Sequence, residues 1–357
     1  MRKEFGIDAN GLAGNQRQRG TLAMRILSTI GLTPEQRRII EAAAGNAELV
    51  DRRCRSQAEM VEAAAKGCDV LFTLRVPDEL MTRSPQLKWI QLMSAGADHI
   101  LKGVLAERNA VAVTTGSGVA ASTIAEYTIA SMLAWAHVLP TTMRAQIRRE
   151  WKRTGFMDIE PMRGKTLGVL GYGSIGRETA RIAQGLGMDV LALKRNPEQR
   201  RDTGWNPQGV GDPEGSIPRR WYGPEQCEQL LRESDYVTVT LPLTANTRGF
   251  IGRQQIAAMR PNAYIVNVGR GEVIDQDALI EALRENRIAG AGLDVFEREP
   301  LETESALWDL ENVILTPHVS GGFNNYNGVC CELFADNLRR FRAGQPLFNL
   351  VDRSLGY

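Results

Sequence analysis

Hydrophobic and polar positions follow two rhythms along the chain from Met24 onward. Short apolar runs predict strands, and those in the first third of the chain are 25–29, 49–50, 69–74, 87–93 and 111–115. Between them, 34–44 and 56–66 have helical spacing, and Thr33 is placed to cap the helix that Pro34 begins. Strands that alternate with helices in this way predict a parallel sheet with crossover helices.

The same alternation returns in a second block that begins at residue 165. Its predicted strands are 166–170, 189–193, 236–241, 263–268, 290–296 and 313–316, with helices such as 253–259 and 275–286. A long helical stretch, 122–149, joins the two blocks, and we expect Pro140 to break it after Leu139. The last helix, 329–342, is too short for a third domain, so we expect it to pack on the first block and make that domain discontinuous.

Composition and charge narrow the class of protein. A chain of 357 residues favours two domains, at about 150 residues each. With 43 Lys and Arg against 42 Asp and Glu, the net charge of +1 gives no global reason to bind nucleic acid or an anionic membrane. No apolar run reaches the length of about 18 residues that a transmembrane helix needs. The five scattered cysteines indicate reduced thiols of a cytoplasmic protein, and the three histidines lack metal-ligand spacing, so no metal is expected.

The segment before Met24 has a different composition. Residues 1–23 are rich in Gly, Asn, Gln and Arg and contain no apolar core, which excludes a secretory signal. We interpret the segment as a disordered extension, an expression tag or an upstream start, in preference to a transit peptide.

A glycine-rich turn, GYGSIG at 171–176, follows the first strand of the second block and opens a helix. In this context Gly171 permits a tight turn, Gly173 lets the backbone approach a pyrophosphate, and Gly176 lets helix and strand pack closely. The pyrophosphate would lie on free N–H groups at the positive end of the helix. The turn therefore predicts a dinucleotide site, with an unliganded glycine turn as the weaker alternative.

The end of the second strand in this block indicates which dinucleotide binds. Arg195 lies 19 residues after Gly176, where NAD-selective sites usually carry an acid, and Lys194 precedes it. Arg can bind the 2′-phosphate of NADP through paired hydrogen bonds, whereas a carboxylate would repel it. We therefore predict NADP over NAD, the alternative being that both cations are solvated surface charges.

Residues 196–224 interrupt the regular pattern. They contain five Gly and five Pro together with Trp205, Trp221 and Tyr222. A loop of this length inside a compact domain is uncommon and is often functional. We interpret it as a surface insertion; the alternatives are a wall of the cofactor or substrate site and a subunit contact.

Three charged or titratable side chains, Arg270, Glu299 and His318, follow the last three predicted strands in turn. Ligands of open α/β sheets bind outside the carboxyl ends of the strands, so these residues should face the nicotinamide crevice. Arg can bind a carboxylate and polarise the adjacent carbonyl, and His can exchange a proton as hydride is transferred. A neighbouring carboxylate favours the protonated imidazole. Asp294 can accept a hydrogen bond from the nicotinamide carboxamide. Taken singly, each residue could also be a surface charge or a structural residue.

Motifs in a fixed order between Met24 and Asp352 resemble the D-isomer-specific 2-hydroxyacid dehydrogenases. They are QLMSAGAD at 91–98, IAE at 124–126, GYGSIG at 171–176, SDYV at 234–237, LPLT at 241–244, NVGRG at 267–271, DVFEREP at 294–300 and TPHVSG at 316–321. The resemblance implies an α/β fold of two Rossmann-like or flavodoxin-like domains. A central NAD(P)-binding domain, 122–319, would be inserted into a discontinuous substrate domain, 24–121 with 320–357.

The resemblance also implies roles for individual residues. Arg270 would bind the substrate, His318 would be the acid/base, and Glu299 would be its carboxylate partner. The backbone around Ala95 and Gly96 would hold the substrate carboxylate, and the enzyme would be a homodimer. The candidate cofactor contacts are Gly171, Gly173, Ser174, Ile175, Gly176, Lys194, Arg195, Leu241, Pro242, Thr247, Val268, Gly269, Asp294, His318 and Gly321.

Differences from individual members of the family narrow the range of expected substrates. Glu299 stands where formate dehydrogenases have Gln, and the Lys that phosphite dehydrogenases carry near Ser94 is missing. We therefore expect a reductase of small 2-oxo acids such as glyoxylate or hydroxypyruvate. Arg75 could reach the substrate from the opposite domain or face solvent, whereas His99 and His137 are predicted to be packing or surface residues. The alternative function is a nicotinamide-sensing protein-interaction module, as in some co-repressors, which can keep the same three residues.

Overall fold

The computed structural model describes residues 24–98, 100–101, 103–151, 153 and 159–357. The predicted extension 1–23 and the expectation for His99 lie outside the described residues. Two parallel sheets whose strands alternate with helices form the molecule, which confirms the predicted α/β class of two Rossmann-like or flavodoxin-like units.

The first sheet contains all five strands that the apolar runs predict. They are β1 Arg25–Ser28, β2 Glu48–Asp51, β3 Val70–Thr73, β4 Trp89–Leu92 and β5 Ala112–Thr114. The helices of this unit are α1 Pro34–Ala44, α2 Gln57–Ala64, α3 Asp78–Arg83 and α4 Val104–Glu107. Every pairing is parallel, in the order β2-β1-β3-β4-β5, so the carboxyl ends of the strands share one edge.

Helix α1 begins where the sequence predicts. The Thr33 hydroxyl accepts a hydrogen bond from the Gln36 N–H (3.3 Å), and the Gln36 side chain accepts one from the Thr33 N–H (3.0 Å). This reciprocal capping satisfies two N–H groups that a helix end leaves free, and Pro34 fits the first turn because its missing N–H is not needed there.

The connector between the units is two helices, α5 Ala121–Ala136 and α6 Leu139–Ile147. The predicted break after Leu139 comes too late in the chain, because α5 ends at Ala136 and the chain turns at Val138, where φ is 50°. Pro140 lies in the first turn of α6, where a proline ring is tolerated, and therefore follows the break.

The second sheet has seven parallel strands. They are β6 Thr166–Leu170, β7 Asp189–Leu193, β8 Arg220–Tyr222, β9 Tyr236–Val239, β10 Tyr264–Asn267, β11 Gly290–Leu293 and β12 Val313–Leu315. The accompanying helices are α7 Ser174–Gly185, α8 Cys227–Glu233, α9 Arg253–Ala257 and α10 Gln276–Arg284. The order β12-β11-β10-β9-β6-β7-β8 changes direction between β6 and β9, and a crevice for a ligand forms at such a switch point.

Strand β8 corrects the prediction of 196–224 as one continuous loop. The end of that segment pairs with β7, with Leu191 opposite Arg220 and Leu193 opposite Tyr222. Three residues at a sheet edge are too few to show an alternating pattern, so this strand could not be predicted from periodicity.

The final helix, α11 Tyr326–Arg342, returns to the first sheet. Phe334 on α11 stacks on Phe72 of β3 with ring centroids 4.5 Å apart, and it lies 5.3 Å from the ring of Trp89. All three rings are fully buried, so the last part of the chain completes the apolar core over the first sheet.

Candidate functional site

The turn between β6 and α7 has a separate structural reason for each glycine. Gly171 has a φ of 101°, a left-handed value that favours glycine. A Cβ on Gly176 would overlap the carbonyl oxygen of Gly171, so glycine lets the helix pack closely on the strand. A Cβ on Gly173 would meet nothing within 4 Å, which leaves open space beside this backbone.

The amino end of α7 faces that open space. No side chain caps the helix, and the Gly173 carbonyl accepts the hydrogen bond from the Arg177 N–H (2.9 Å). The N–H groups of the first turn, at Ser174 and Ile175, carry the partial positive charge of a helix end. Open space beside uncapped N–H groups fits a pyrophosphate.

The loop after β9 packs against this turn. The Leu241 N–H lies 3.1 Å from the place of a Cβ on Gly171, and the Leu241 carbonyl lies 2.8 Å from the place of one on Gly269. Thr247 holds the loop, because its hydroxyl donates to the Pro242 carbonyl at 2.6 Å. These predicted cofactor contacts therefore meet at the switch point of the sheet.

Three other predicted residues, Val268, Gly321 and Arg75, lie at separate places in the structure. Val268 is buried at the end of β10, and the place of a Cβ on Gly321 is 3.5 Å from Ile124 of α5. Arg75 is exposed after β3. Within the described part of the chain, no hydrogen bond or ion pair joins its guanidinium to another residue, and its role at the substrate stays a prediction.

Cations collect at the end of β7. The Lys194 ammonium donates to the Gln199 carbonyl at 2.5 Å, and burial, followed by the nearby Arg177, lowers the pKa of Lys194. Arg195 is exposed, and its guanidinium carbon lies 5.4 Å from the centre of the Tyr357 ring. A partly buried lysine beside other cations is suited to an anionic ligand.

His318 and Glu299 form a hydrogen-bonded pair beyond β11 and β12. The distance between His318 Nδ1 and Glu299 Oε2 is 2.8 Å. The other oxygen, Oε1, accepts from the Phe296 N–H at 3.1 Å, so this N–H leaves the sheet ladder and β11 ends before the predicted residue 296. Because Nδ1 is held by a carboxylate, Nε2 is the ring atom left for a ligand.

The backbone at His318 is held by Asp294. His318 has a φ of 54°, and its N–H donates to the Asp294 carbonyl at 2.8 Å. The Asp294 side chain is fully buried; Oδ1 accepts from the Thr316 hydroxyl (2.6 Å) and the Val319 N–H (2.9 Å), and Oδ2 from the Ser320 N–H (3.0 Å). A left-handed φ at a residue with a side chain is unfavourable and needs such support.

Arg270 extends from the second unit to the first. Its Nη2 donates to Asp98 Oδ1 at 3.2 Å, and its Nη1 donates to the Gly269 carbonyl at 2.9 Å. A Cβ on Gly96 would overlap the guanidinium, so glycine allows this close approach, and Ala95 beside it is exposed. The structure therefore brings together Arg270 and Gly96, two positions to which the resemblance assigns the substrate.

Sequence reasoning assigned no role to three residues of this site. Asp98 lies at the end of the QLMSAGAD motif, but its pairing with Arg270 joins positions 172 residues apart. Tyr127 on α5 is hydrogen-bonded to the Thr316 hydroxyl at 2.7 Å, and burial raises the pKa of Tyr127. Only the Thr–Pro–His motif itself signalled the importance of Thr316.

Sheet order explains how the reactive groups converge. Strands β10, β11 and β12 are neighbours, and Arg270, Glu299 and His318 follow them in turn. A Cβ on Gly271 would overlap the backbone of Phe296, so the loop that carries Arg270 packs on the segment that leads to Glu299. An anion-binding guanidinium and a carboxylate-supported imidazole at one strand edge can bind an oxo acid and exchange a proton with it.

Two features that other functions would need are missing from the described residues. No helix in this part of the chain is both long and apolar enough to cross a bilayer. Nor do three or more His, Cys, Asp or Glu side chains within it form a group that could hold a metal ion.

Comparison with protein families and curated proteins gives consistent matches. Residues 129–320 match the model of the D-isomer specific 2-hydroxyacid dehydrogenase NAD binding domain. A glyoxylate reductase of Aeropyrum pernix is 34% identical over 307 residues, which cover 83% of this chain and 87% of that protein. A glyoxylate reductase of Thermococcus litoralis is 35% identical over 298 residues, with 80% and 84% covered.

Solved structures match over nearly the whole chain. A D-isomer specific 2-hydroxyacid dehydrogenase from Xanthobacter autotrophicus Py2, in complex with NADPH and MES, aligns with a TM-score of 0.74 and 28% identity, covering 94% of this chain and 99% of that one. An NADPH-dependent glyoxylate/hydroxypyruvate reductase from Sinorhizobium meliloti, in complex with NADP and sulfate, gives a TM-score of 0.73 at 25% identity, with 94% and 100% covered.

Proposed function

Because the chain belongs to the D-isomer-specific 2-hydroxyacid dehydrogenase family, we propose that it transfers hydride between NADP(H) and a small 2-oxo acid or its D-2-hydroxy acid. Enzymes of this family are oxidoreductases that act on a CH–OH group. The observation that carries the proposal is the 2.8 Å pair of His318 and Glu299 on the strand edge from which Arg270 also extends.

In the proposed mechanism, each side chain has a distinct task. Arg270 binds the substrate carboxylate and polarises the neighbouring carbonyl, with the backbone at Ala95 and Gly96 on the other side. The bound nicotinamide supplies or accepts the hydride. His318 gives the proton on Nε2 to the carbonyl oxygen as that oxygen becomes a hydroxyl, and takes it back in the reverse direction. Glu299 holds Nδ1 and so orients the ring.

Asp294 has one acceptor position left for the cofactor. Its two oxygens have about four lone-pair sites, and three are used by the chain that carries His318. The remaining site on Oδ2 is suited to the carboxamide of a nicotinamide. We propose that Asp294 both holds His318 and orients the nicotinamide ring.

NADP is the proposed preference over NAD. Lys194 and Arg195 end β7, where an NAD-selective site usually has an acid. The pKa of Lys194 is lowered by burial and by Arg177, and a 2′-phosphate would offset that crowding of positive charge. Two related structures are complexes with NADPH or NADP, which supports this preference.

A substrate panel tests the proposal. Purified protein is mixed with NADPH or NADH and a series of 2-oxo acids that begins with glyoxylate, the substrate named for several relatives. We expect glyoxylate or hydroxypyruvate to give the highest kcat/KM, with NADPH preferred. Cofactor binding without turnover of any 2-oxo acid would contradict an enzyme and favour the nicotinamide-sensing module.

We also propose a homodimer that buries one face of α6. Leu139, Met143 and Ile147 lie four residues apart on this helix and are 45%, 61% and 82% exposed. A row of exposed apolar residues at helical spacing is typical of a contact surface. Light scattering on a size-exclusion column tests this, with Met143→Glu and Ile147→Glu together expected to give a monomer.

Domain limits and location complete the proposal. We assign 24–121 with 320–357 to the substrate domain and 122–319 to the cofactor domain, supported by the return of α11 to the first sheet. The five cysteines are unpaired in the described chain, which supports the cytoplasm as its location.

A further inference from the structure

We propose that the strap, residues 196–224, fastens the phosphate-binding helix to the substrate domain, and that Trp205 is the positioning residue through which it acts. The inference rests on the proposed function, because it concerns how the two halves of a 2-oxo acid site are held together. Its basis is that Arg200 and residues 211–212 of the strap are held to α7, whereas Trp205, which lies between them in the chain, is buried in the core of the first unit.

The first attachment uses two buried charges near the amino end of α7. Arg177 is 1% exposed and donates to the carbonyl oxygens of Asp212 and Arg200, both at 2.5 Å. Glu178, also buried, accepts from the Gly211 N–H at 2.6 Å. Such partners compensate the burial of the two charges, so the strap is firmly held to the helix on both sides of Trp205.

A second contact joins the strap to the glycine turn. The Asp212 carboxylate accepts from the Tyr172 hydroxyl at 2.8 Å. The place of a Cβ on Gly204 is 3.9 Å from the Ser174 hydroxyl oxygen, so the strap passes next to the open space at the amino end of α7. These contacts to α7 and the glycine turn do not involve the Trp205 side chain, so a substitution of Trp205 leaves them in place beside the pyrophosphate site.

The other attachment is Trp205. This side chain is 7% exposed and packs into the apolar cluster that the first sheet forms with α1 and α11. Its indole N–H donates to the Asp336 carboxylate on α11 at 2.9 Å, and its backbone N–H donates to the Asn349 side chain at 3.1 Å. A Cβ on Gly118 would overlap the Trp205 carbonyl oxygen, so the strap also touches the chain that leads from β5 to α5.

These attachments matter because the substrate site is shared. Arg270 comes from the second unit and Gly96 from the first, and they meet across the cleft. The dinucleotide, by contrast, is held by the second unit. If loosening the strap populates a more open cleft, the apparent affinity for the oxo acid falls with the competent fraction, while cofactor affinity does not.

Two paired substitutions test the strap. Trp205→Phe keeps an aromatic ring and removes the indole donor, and Asp336→Ala removes its acceptor on a helix that tolerates alanine. Trp308→Phe is the control for the first, because Trp308 is exposed and donates to the Glu302 carbonyl at 2.9 Å. Arg339→Ala is the control for the second, because it removes only the exposed Arg339–Asp336 ion pair of 2.7 Å.

The measurements are the KM for glyoxylate at saturating NADPH, the NADPH dissociation constant from its fluorescence, and the radius of gyration of the ligand-free protein by small-angle scattering. Both test variants should raise KM about three- to tenfold, the loss expected for one hydrogen bond. The NADPH dissociation constant and kcat should stay within about twofold, and the radius should increase. Both controls should match the wild type in all three.

Each departure from this pattern contradicts the proposal that the strap fastens α7 to the substrate domain. A KM unchanged in either test variant, an equal rise in its control, or a parallel loss of NADPH affinity would mean that Trp205 only stabilises the fold. If the wild type reduces no 2-oxo acid, the proposed function fails, and the scattering decides the inference alone. Ligand-free radii that are equal in wild type and test variants would then reject it.

Discussion

The two ends of the proposed cofactor crevice are held by different means. At the end formed by β10, β11 and β12, the side chains of Asp294 and Glu299 accept hydrogen bonds from backbone N–H groups. At the end of β7, Lys194 donates one hydrogen bond to the Gln199 carbonyl, and the exposed Arg195 lies near the ring of Tyr357. Backbone hydrogen bonds therefore fix the geometry of the first end, whereas the second end consists of side chains at the protein surface.

This difference indicates which positions tolerate substitution without loss of stability. Groups that are locked by buried hydrogen bonds are preorganised for one chemistry, and altering them costs stability as well as activity. Exposed cations at a strand end can be exchanged with little effect on folding. We therefore expect substitutions at the catalytic end to abolish function, and substitutions at the β7 end to redirect it.

Replacing His318 should give the largest effect. His318→Ala removes the proton donor of the proposed mechanism, and we expect kcat for glyoxylate to fall about 10²- to 10⁴-fold. NADPH affinity, measured by fluorescence titration, should be nearly unchanged, because the dinucleotide is held mainly elsewhere. His137→Ala, at the exposed carboxyl end of α5, is the control and should keep full activity. Full activity in His318→Ala would reject the acid/base role.

The next effect should come from Asp294. Asp294→Ala would leave the Val319 and Ser320 N–H groups and the Thr316 hydroxyl without their acceptor. We expect a loss of about 2–4 kcal/mol in the free energy of unfolding, because unsatisfied buried groups cost about 1–3 kcal/mol each. Urea titration measures it. Asp277→Ala, at an exposed position in the first turn of α10, should cost less than about 1 kcal/mol. Equal losses of unfolding free energy in both variants would contradict the conclusion that Asp294 holds the chain around His318.

Arg195 should have an effect on cofactor choice alone. Arg195→Asp replaces the cation that we propose binds the 2′-phosphate by an acid, and we expect the ratio of kcat/KM for NADPH to that for NADH to fall about 10- to 100-fold, the value of a charged hydrogen bond. Thermal stability should hardly change. Arg201→Asp is the control, because Arg201 is exposed and lies 3.3 Å from Glu214 on the same segment. An unchanged ratio in Arg195→Asp would reject the NADP preference.

The end of the crevice formed by β10, β11 and β12 is easier to predict from sequence than the cleft between the two units. Strand ends in a parallel sheet share an edge, so the positions of Arg270 and His318 relative to the sheet follow from the order of motifs. The Thr33 cap and the glycine turn are equally local signals. Short elements escaped prediction for the opposite reason, since α3, α4 and α8, with six, four and seven residues, show too few turns for a helical period.

Contacts between the units could not be predicted from pattern. Trp205 sits in a segment whose composition is typical of a surface loop, yet it is buried in the core of the first unit. Asp98 meets Arg270 only after both sheets have formed, and no periodicity encodes a pairing of residues 172 positions apart. Such contacts depend on how two finished surfaces meet, which a single sequence does not state.

The pairing of Asp98 with Arg270 gives the smallest expected effect. In the proposed mechanism the substrate carboxylate competes with Asp98 for the guanidinium, and this partly exposed pair, with a single hydrogen bond of 3.2 Å, is worth up to about 1 kcal/mol. Asp98→Asn should therefore lower the KM for glyoxylate about two- to threefold and leave kcat unchanged, as initial-rate measurements would show. Glu79→Gln, which breaks the exposed 2.9 Å pair with Arg83 in the same unit, should change neither constant. A higher KM in Asp98→Asn would mean instead that Asp98 holds Arg270 in the position that binds the substrate.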